Sequence, residues 1–178
     1  MKPIKKMILA ALFLASGFVL PLFTAQVKEI GDSLLPMHFP VMLCGLVCGP
    51  WYGLAVGFIL PFFRSVLFSM PPIYPNAVWM ALELATYGGV IGWFYQTSTK
   101  KNIISVYFSL IIAMLLGRIM WGFSKTVLLG ISGKSFGFEA FLVGGFLDAI
   151  PGIILQLVLI PAMMALLHKK TVASLKAE

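Results

Sequence analysis

Residues 77–95 read AVWMALELATYGGVIGWFY, an apolar run of membrane-spanning length that contains one charged side chain, Glu83. A charge at the centre of a bilayer costs roughly 2.5–3.5 kcal/mol on insertion scales, so such residues are rare and usually face a cavity or another charge. Other apolar runs carry three more such charges, on Arg64, Arg118 and Asp148. Once the runs are oriented, all four charges fall in the same half of the membrane. The sequence therefore predicts a polar pocket open to one side, as a small-solute binding or transport protein requires.

The composition places most of the chain in lipid. Of its 178 residues, 60% are hydrophobic and 11% are charged, whereas a soluble domain carries about 25% charged residues. The net charge of +7 could suggest nucleic acid, but the basic residues form short clusters between apolar runs. That pattern is typical of a membrane protein, so we expect a lipid bilayer and no nucleic acid as partner. Cys44 and Cys48 lie within an apolar run and are interpreted as small packing residues.

The apolar runs predict an all-α integral membrane protein, a single bundle of six transmembrane helices over residues 1–178. A spanning helix needs roughly 20 apolar residues. The second and third runs are shorter, and together they could form one helical hairpin that turns at residues 48–53. A signal peptide is the alternative for the first run, but many further apolar runs follow it. The predicted helices cover about residues 7–25, 37–48, 51–68, 77–95, 103–129 and 141–167.

Lysines in the flanks of the runs set the predicted orientation. With a cytoplasmic N-terminus, six spans place eight lysines inside and at most three outside, so both termini are expected in the cytoplasm. At ~1.5 Å per helical residue, the four intramembrane charges then lie in the outer half. The inner lysines are Lys2, Lys5, Lys6, Lys100, Lys101, Lys169, Lys170 and Lys176, and the outer ones are Lys28, Lys134 and possibly Lys125.

Polar and aromatic side chains on the last three predicted helices recur at helical spacing, and so could line the pocket. Aromatic residues beside a few convergent polar groups are the expected lining of a small-molecule site. The candidates on the fourth helix are Asn76, Trp79, Met80, Glu83 and Tyr87. The fifth helix offers Arg118, Trp121, Gly122 and Lys125. The sixth offers Gly144, Gly145, Asp148, Gly152 and, deeper, Gln156. The predicted substrate-binding residues are Asn76, Trp79, Glu83, Tyr87, Arg118, Trp121, Lys125 and Asp148, together with Arg64 and His38.

A purely structural interpretation of the same residues stays open. The charges could form two buried ion pairs, the tryptophans could belong to an interfacial belt, and His38 could be a helix-entry residue. Several buried ions in one bundle nevertheless favour a functional site. The two ion pairs of this interpretation are Arg64–Glu83 and Arg118–Asp148.

The sequence carries no enzyme signature. It has no cluster of metal ligands at the usual spacings, no glycine-rich phosphate loop and no Ser-His-acid set. We therefore predict no catalysis, no metal and no cofactor, and any ATP-driven work must come from another subunit. A membrane enzyme or a small channel is the more distant alternative. A membrane enzyme would require its polar cluster near the cytoplasmic face. A channel would require polar residues along the whole length of the span.

Three pieces of the chain are distinctive: MHFPVMLCG at 37–45, RSVLFSMPP at 64–72 and ELATYG at 83–88. The segment 35–95 that contains them resembles the substrate-binding S components of energy-coupling factor (ECF) vitamin transporters, in particular the branch related to pantothenate and pyridoxine. The resemblance implies a vitamin-binding subunit of the plasma membrane that topples to release its load inside. Its partners would be a transmembrane T component and two cytoplasmic ATPases. The outer loop 26–37 would close over the site, beside the loop 69–75.

The first predicted helix carries the pattern Ala11-x-x-x-Ala15. In S components, such a small-residue pattern on this helix docks onto the T component, so the resemblance implies that role for Ala11 and Ala15. Ordinary helix packing is the alternative.

The charges favour an anionic substrate. With Lys125 at the outer edge, the site has three cations against two anions, and a surplus positive charge in a medium of low dielectric constant favours an anion. This suits the carboxylate of pantothenate. The rings of Trp79, Trp121 and Tyr87 would equally suit stacking on pyridoxine or a hydroxymethylpyrimidine precursor, which is the alternative substrate class.

The orientation can be tested with a cysteine at Ser98, in the loop between the fourth and fifth predicted helices. Because this loop is predicted to be cytoplasmic, a membrane-impermeant thiol reagent should not label the cysteine in intact cells. A cysteine at Lys134, in a predicted outer loop, should label readily in the same assay. Ready labelling at position 98 would reverse the orientation.

Overall fold

The computed structural model of the chain describes residues 2–24 and 35–175. Every element within these residues is helical, and α4 and α6 each adjoin a single π-helical turn. The helices are α1 (Pro3–Thr24), α2 (His38–Cys48), α3 (Pro50–Phe68), α4 (Val78–Thr97, preceded by the π-turn Ile73–Ala77), α5 (Ile103–Ile131), α6 (Phe138–Leu142, continued by the π-turn Val143–Leu147) and α7 (Ile150–Leu175).

Local chemistry explains where several helices begin and end. The side-chain oxygen of Asn102 accepts a hydrogen bond from the Ser105 amide at 2.9 Å and so caps the start of α5. Pro50 is the first residue of α3, where its missing N–H would have no helical partner in any case. Gly49 joins α2 to α3 with a φ of +109°, a conformation that favours glycine. The second and third apolar runs therefore form a helical hairpin.

Five described helical segments are long and apolar enough to cross a membrane, which confirms the all-helical membrane fold. The count of six spans and the cytoplasmic termini stay predictions. Residues 25–34, which hold Lys28 and most of the predicted closing loop, lie outside the described residues, as does Lys176. The five segments are Pro3–Leu22, Pro50–Phe68, Ile73–Thr97, Ile103–Ile131 and Ile150–Leu167.

α4 is the central helix and packs against α2, α3 and α5. Short connections make α2, α3, α4 and α5 alternate in direction. We call the end of the bundle at which α3 ends and α4 begins the upper end. α7 runs antiparallel to α5, because Met164 lies beside Val106 near the lower end while α6, which leads into α7, lies beside Gly122 further up.

Glycines allow α2, α3 and α4 to approach until their backbones touch. A Cβ atom built on Gly88 of α4 would overlap the carbonyl group of Gly53 on α3, and a Cβ on Gly53 would overlap that of Gly88. Gly45 of α2 meets the same Gly88 carbonyl. Small residues at helix crossings give membrane proteins the close packing that the hydrophobic effect cannot supply within lipid. This contact fixes the three helices relative to one another.

α2 is much shorter than its neighbours, and its position follows from its two ends. Its first residue, His38, contacts Glu83 in the second turn of α4. The turn after its last residue, at Gly49, lies against Gln96 in the last turn of α4. α2 therefore packs along α4 only from Glu83 downwards.

The prediction of one continuous sixth helix over 141–167 is wrong. The chain forms the short α6 and its π-turn, and α7 begins only at Ile150 after the two turn residues 148–149. Pro151 explains the break, because it lacks the N–H that a continuous helix would donate to Leu147, whereas a proline is tolerated in the first turn of a new helix. Asp148 lies at this break and is exposed.

The glycine contact predicts a difference between two adjacent residues of α4. Gly88→Ala should lower the free energy of unfolding in detergent by about 1–3 kcal/mol, the usual cost of overpacking. Gly89→Ala is the control, because its Cβ would make an ordinary 3.5 Å contact with Leu54. Thermal unfolding monitored by circular dichroism compares the two. Equal stability would mean that α3 and α4 can separate without cost.

Candidate functional site

Four buried polar side chains on four different helices adjoin one apolar cluster. Each lies four residues, or one helical turn, above a member of the same apolar cluster, on the same face of its helix. The apolar residues are Met42, Tyr87, Met114 and Ile160. The polar residues, which we call the polar layer, are His38 on α2, Glu83 on α4, Arg118 on α5 and Gln156 on α7. Their exposed fractions are 2%, 3%, 4% and 1% respectively, so all four belong to the interior.

Glu83 is the centre of the polar layer. Its Oε1 accepts a hydrogen bond from Nη1 of Arg118 at 3.1 Å and lies 3.4 Å from Nε2 of His38. The Tyr87 ring supports the imidazole from below in an edge-on arrangement, with 4.9 Å between the centroids. Gly117 leaves room for the Tyr87 ring, since a Cβ there would come within 2.6 Å of it. Breaking a buried ion pair by removing one partner costs roughly 3–5 kcal/mol, so Glu83 and Arg118 fix each other.

Arg118 uses only part of its hydrogen-bonding capacity in this pair. Its Nε and Nη2 are buried and have no hydrogen-bond partner among the described residues. The Tyr87 hydroxyl also lies near this guanidinium. Nε and Nη2 lie side by side on one edge of the planar guanidinium, the edge that binds a carboxylate through two parallel hydrogen bonds. The edge of Arg118 turned away from Glu83 is therefore suited to a second carboxylate.

Two other members of the layer also have unused polar atoms. Nδ1 of His38 and Nε2 of Gln156 are buried without a hydrogen-bond partner in the part of the chain that the structure describes. A buried donor left unpaired costs about 1–3 kcal/mol. Such groups concentrated in one layer indicate a site that is completed by another molecule.

An aromatic cluster surrounds Lys125 above the polar layer. The Lys125 ammonium lies 4.4 Å from the ring centroid of Trp121, 5.4 Å from that of Trp79 and 4.8 Å from that of Phe136. Trp79 lies one turn above Glu83, so the cluster and the polar layer share a face of α4. The predicted glycines have a role here, because Gly144 and Gly145 leave space for the Trp121 indole. Phe136 was missed by the sequence reasoning, since it follows α5 in a segment without helical periodicity.

Arg64 is buried on α3 but does not join the polar layer by a hydrogen bond. Its guanidinium lies 5.7 Å from the ring centroid of Phe68, and its Nη1 has no partner among the described residues. The two ion pairs of the structural interpretation, Arg64–Glu83 and Arg118–Asp148, are wrong, because Glu83 pairs with Arg118.

The remaining predicted residues lie outside the polar layer. Asp148 is exposed at the helix break before α7 and does not contribute a buried charge. Asn76 is half-buried in the π-turn before α4. Ala11 and Ala15 are both exposed on α1. Within the described residues, α1 packs mainly against α2 and α3.

An open groove of about 440 Å³ lies between α5 and the segment that leads into α6. Its walls are mainly apolar, and no polar-layer residue contributes to them. It is lined by Ile119, Gly122, Phe123, Thr126, Phe136, Gly137, Phe138 and Phe141. The groove therefore adjoins the aromatic cluster and differs in chemistry from the polar layer.

The comparison with protein families identifies the family of this chain. A sequence model of the ECF transporter substrate-specific component family matches residues 5–164, whereas a search of curated proteins finds no significant match. The predicted family is confirmed, and with it a multi-pass location in the plasma membrane. Members of this family are substrate-binding transporter subunits rather than enzymes, and they act with T-component and ATPase partners. The chain belongs to the substrate-specific components of ECF transporters.

Proposed function

We propose that this chain captures a small carboxylate-bearing vitamin, pantothenate foremost, with its polar layer. The observation that carries the proposal is the unpaired Nε/Nη2 edge of Arg118. This edge presents two parallel donors to the interior of the bundle while Nη1 is held by Glu83. A carboxylate is the vitamin group that accepts two such hydrogen bonds in one plane.

The buried charges support an anion. Arg64 and Arg118 are buried cations and Glu83 is a buried anion, so these three residues leave one positive charge in surroundings of low dielectric constant. Asp148, which would have balanced this charge, is exposed. Lys125 adds a further cation near the upper end. A ligand carboxylate would offset the surplus charge.

Each remaining residue of the site has a role in this proposal. Glu83 and His38 orient Arg118, and Tyr87 forms the floor. Lys125, Trp79 and Trp121 cover the site from above, with Asn76 at its rim, and Arg64 contributes long-range positive potential.

The alternative substrate is pyridoxine or a hydroxymethylpyrimidine, which would stack on the aromatic rings. In the structure, the Lys125 ammonium already lies over Trp79 and Trp121, and Tyr87 is buried beneath His38. Stacking would have to displace the lysine from both rings. Mass spectrometry of small molecules that co-purify with the protein separates the two classes directly.

Transport in this proposal depends on α1. Ala11 and Ala15 face away from the bundle and form a flat strip on which a T-component helix can pack closely. The protein would bind its vitamin from outside and topple against the T component to release it inside, driven by two ATPases.

Replacing Arg118 tests the substrate class. Arg118→Gln should weaken pantothenate binding by at least ~1.5–3 kcal/mol, the range for hydrogen bonds to charged groups, which is about tenfold or more in affinity. Isothermal titration calorimetry with purified protein, using pantothenate and then pyridoxine, gives the comparison. Lys134→Gln is the matched control, because it removes one positive charge from an exposed position.

Loss of folding could imitate loss of binding, because Arg118→Gln leaves Glu83 without its cation. The double variant Glu83→Gln/Arg118→Gln removes both charges and should fold, yet it should still bind pantothenate weakly. Pantothenate binding of wild-type strength in the double variant would show that the anion argument is wrong. An uncharged aromatic vitamin would then be the better substrate.

Bulky residues on α1 test the proposed docking strip. Ala15→Trp or Ala11→Trp should block vitamin uptake by cells, because the indole would hold the T component away. Vitamin binding to the purified variants should survive, since the polar layer lies on other helices. Loss of uptake and binding together would instead identify the strip as part of the ordinary helix packing of the protein.

A further inference from the structure

We propose that Gln156 determines specificity by binding a neutral oxygen, a carbonyl or a hydroxyl, of the same ligand whose carboxylate meets Arg118. This inference rests on the proposed function. It extends that function by requiring a second oxygen-bearing group in the ligand, at a distance from the carboxylate.

The position of Gln156 on α7 makes a merely structural role unfavourable. Gln156, Ile160 and Met164 form one buried stripe at four-residue spacing, and the other two belong to the apolar cluster below the polar layer. A leucine or methionine at position 156 would continue that stripe with no polar atom to satisfy. The glutamine instead has a buried Nε2 without a hydrogen-bond partner among the described residues. An unpaired buried donor destabilises the protein unless something binds it.

The neutral character of the amide decides what Gln156 can select. The two oxygens of a carboxylate are accommodated by the two free donors of Arg118, which carry the positive charge that a carboxylate needs. The amide of Gln156 has no net charge and lies on a different helix, so it gains most from an uncharged oxygen. A side-chain amide can donate through nitrogen or accept through oxygen, and it can therefore bind either a carbonyl or a hydroxyl group.

The polar layer thus binds two features of a ligand from two neighbouring helices. Arg118 on α5 binds the carboxylate, and Gln156 on α7 binds the neutral oxygen. A carboxylic acid without the second oxygen pairs only with Arg118. A neutral molecule that has this oxygen but no carboxylate pairs only with Gln156. A ligand that lacks one of these groups leaves a buried polar group of the site without a partner. Such a ligand binds much more weakly.

The test uses the full-length protein in detergent, with pantothenate and pantothenol as probes. Pantothenol carries an alcohol in place of the carboxylate and keeps the neutral oxygens. Gln156→Leu should raise the Kd of both compounds about tenfold, whereas Arg118→Gln should raise the Kd of pantothenate far more than that of pantothenol. Gln96→Leu, the same change at an exposed position of α4, should leave both Kd values unchanged.

Thermal unfolding without ligand separates specificity from structure. The Gln156→Leu variant should unfold at the same or a higher temperature than the wild type, because leucine removes an unpaired buried amide. Reduced affinity together with undiminished stability supports the inference.

Three outcomes would overturn it. If Gln156→Leu binds both compounds as tightly as the wild type, Gln156 does not contact the ligand. If it weakens pantothenate alone, Gln156 binds the carboxylate and not a neutral oxygen. If the wild-type protein binds neither compound, the proposed substrate is wrong and the inference is refuted with it, an outcome that is distinct from the first two.

Discussion

The ion pair between Glu83 and Arg118 is the contact on which the candidate site depends. Each residue would be very costly to bury alone, and each is acceptable because the other lies 3.1 Å away. The pair joins α4 to α5 and uses only one nitrogen of the guanidinium. The protein therefore holds a cation in its interior with the carboxylate-binding edge unused. The orientation of that edge is fixed by Glu83, so recognition does not need to order a long flexible side chain.

Much of the fold could be predicted from the sequence because long apolar runs leave the backbone few options in lipid. The first five runs correspond to α1–α5 with small differences in their ends. The sixth run is the exception, because it does not form one continuous helix. Its hydrophobicity is continuous, whereas its backbone is interrupted before Pro151, and hydropathy does not detect a missing hydrogen bond. Asp148, at this interruption, is exposed, which the spacing alone did not predict.

The burial of Glu83 and Arg118 could be predicted from the sequence, whereas their pairing with each other could not. Glu83 and Arg118 were recognisable because an intramembrane charge is conspicuous in an apolar run. Which charge meets which depends on the rotation of each helix about its axis, and that is set by packing such as the Gly53–Gly88 contact. Gln156 was noticed as a lining residue but received no role, since an uncharged amide is less conspicuous.

Packing is uneven across the bundle. Half of the spanning window that contains α4 is buried, compared with 28% of the window in α7. His38 and Glu83 belong to the glycine-packed part, whereas Gln156 is carried by the sparsely packed α7. A ligand that bridges Arg118 and Gln156 would supply packing contacts that α7 lacks. It would pack against α7 as core side chains do. Part of its binding energy would then offset the conformational entropy lost by α7, and the loaded protein would be stiffer than the empty one.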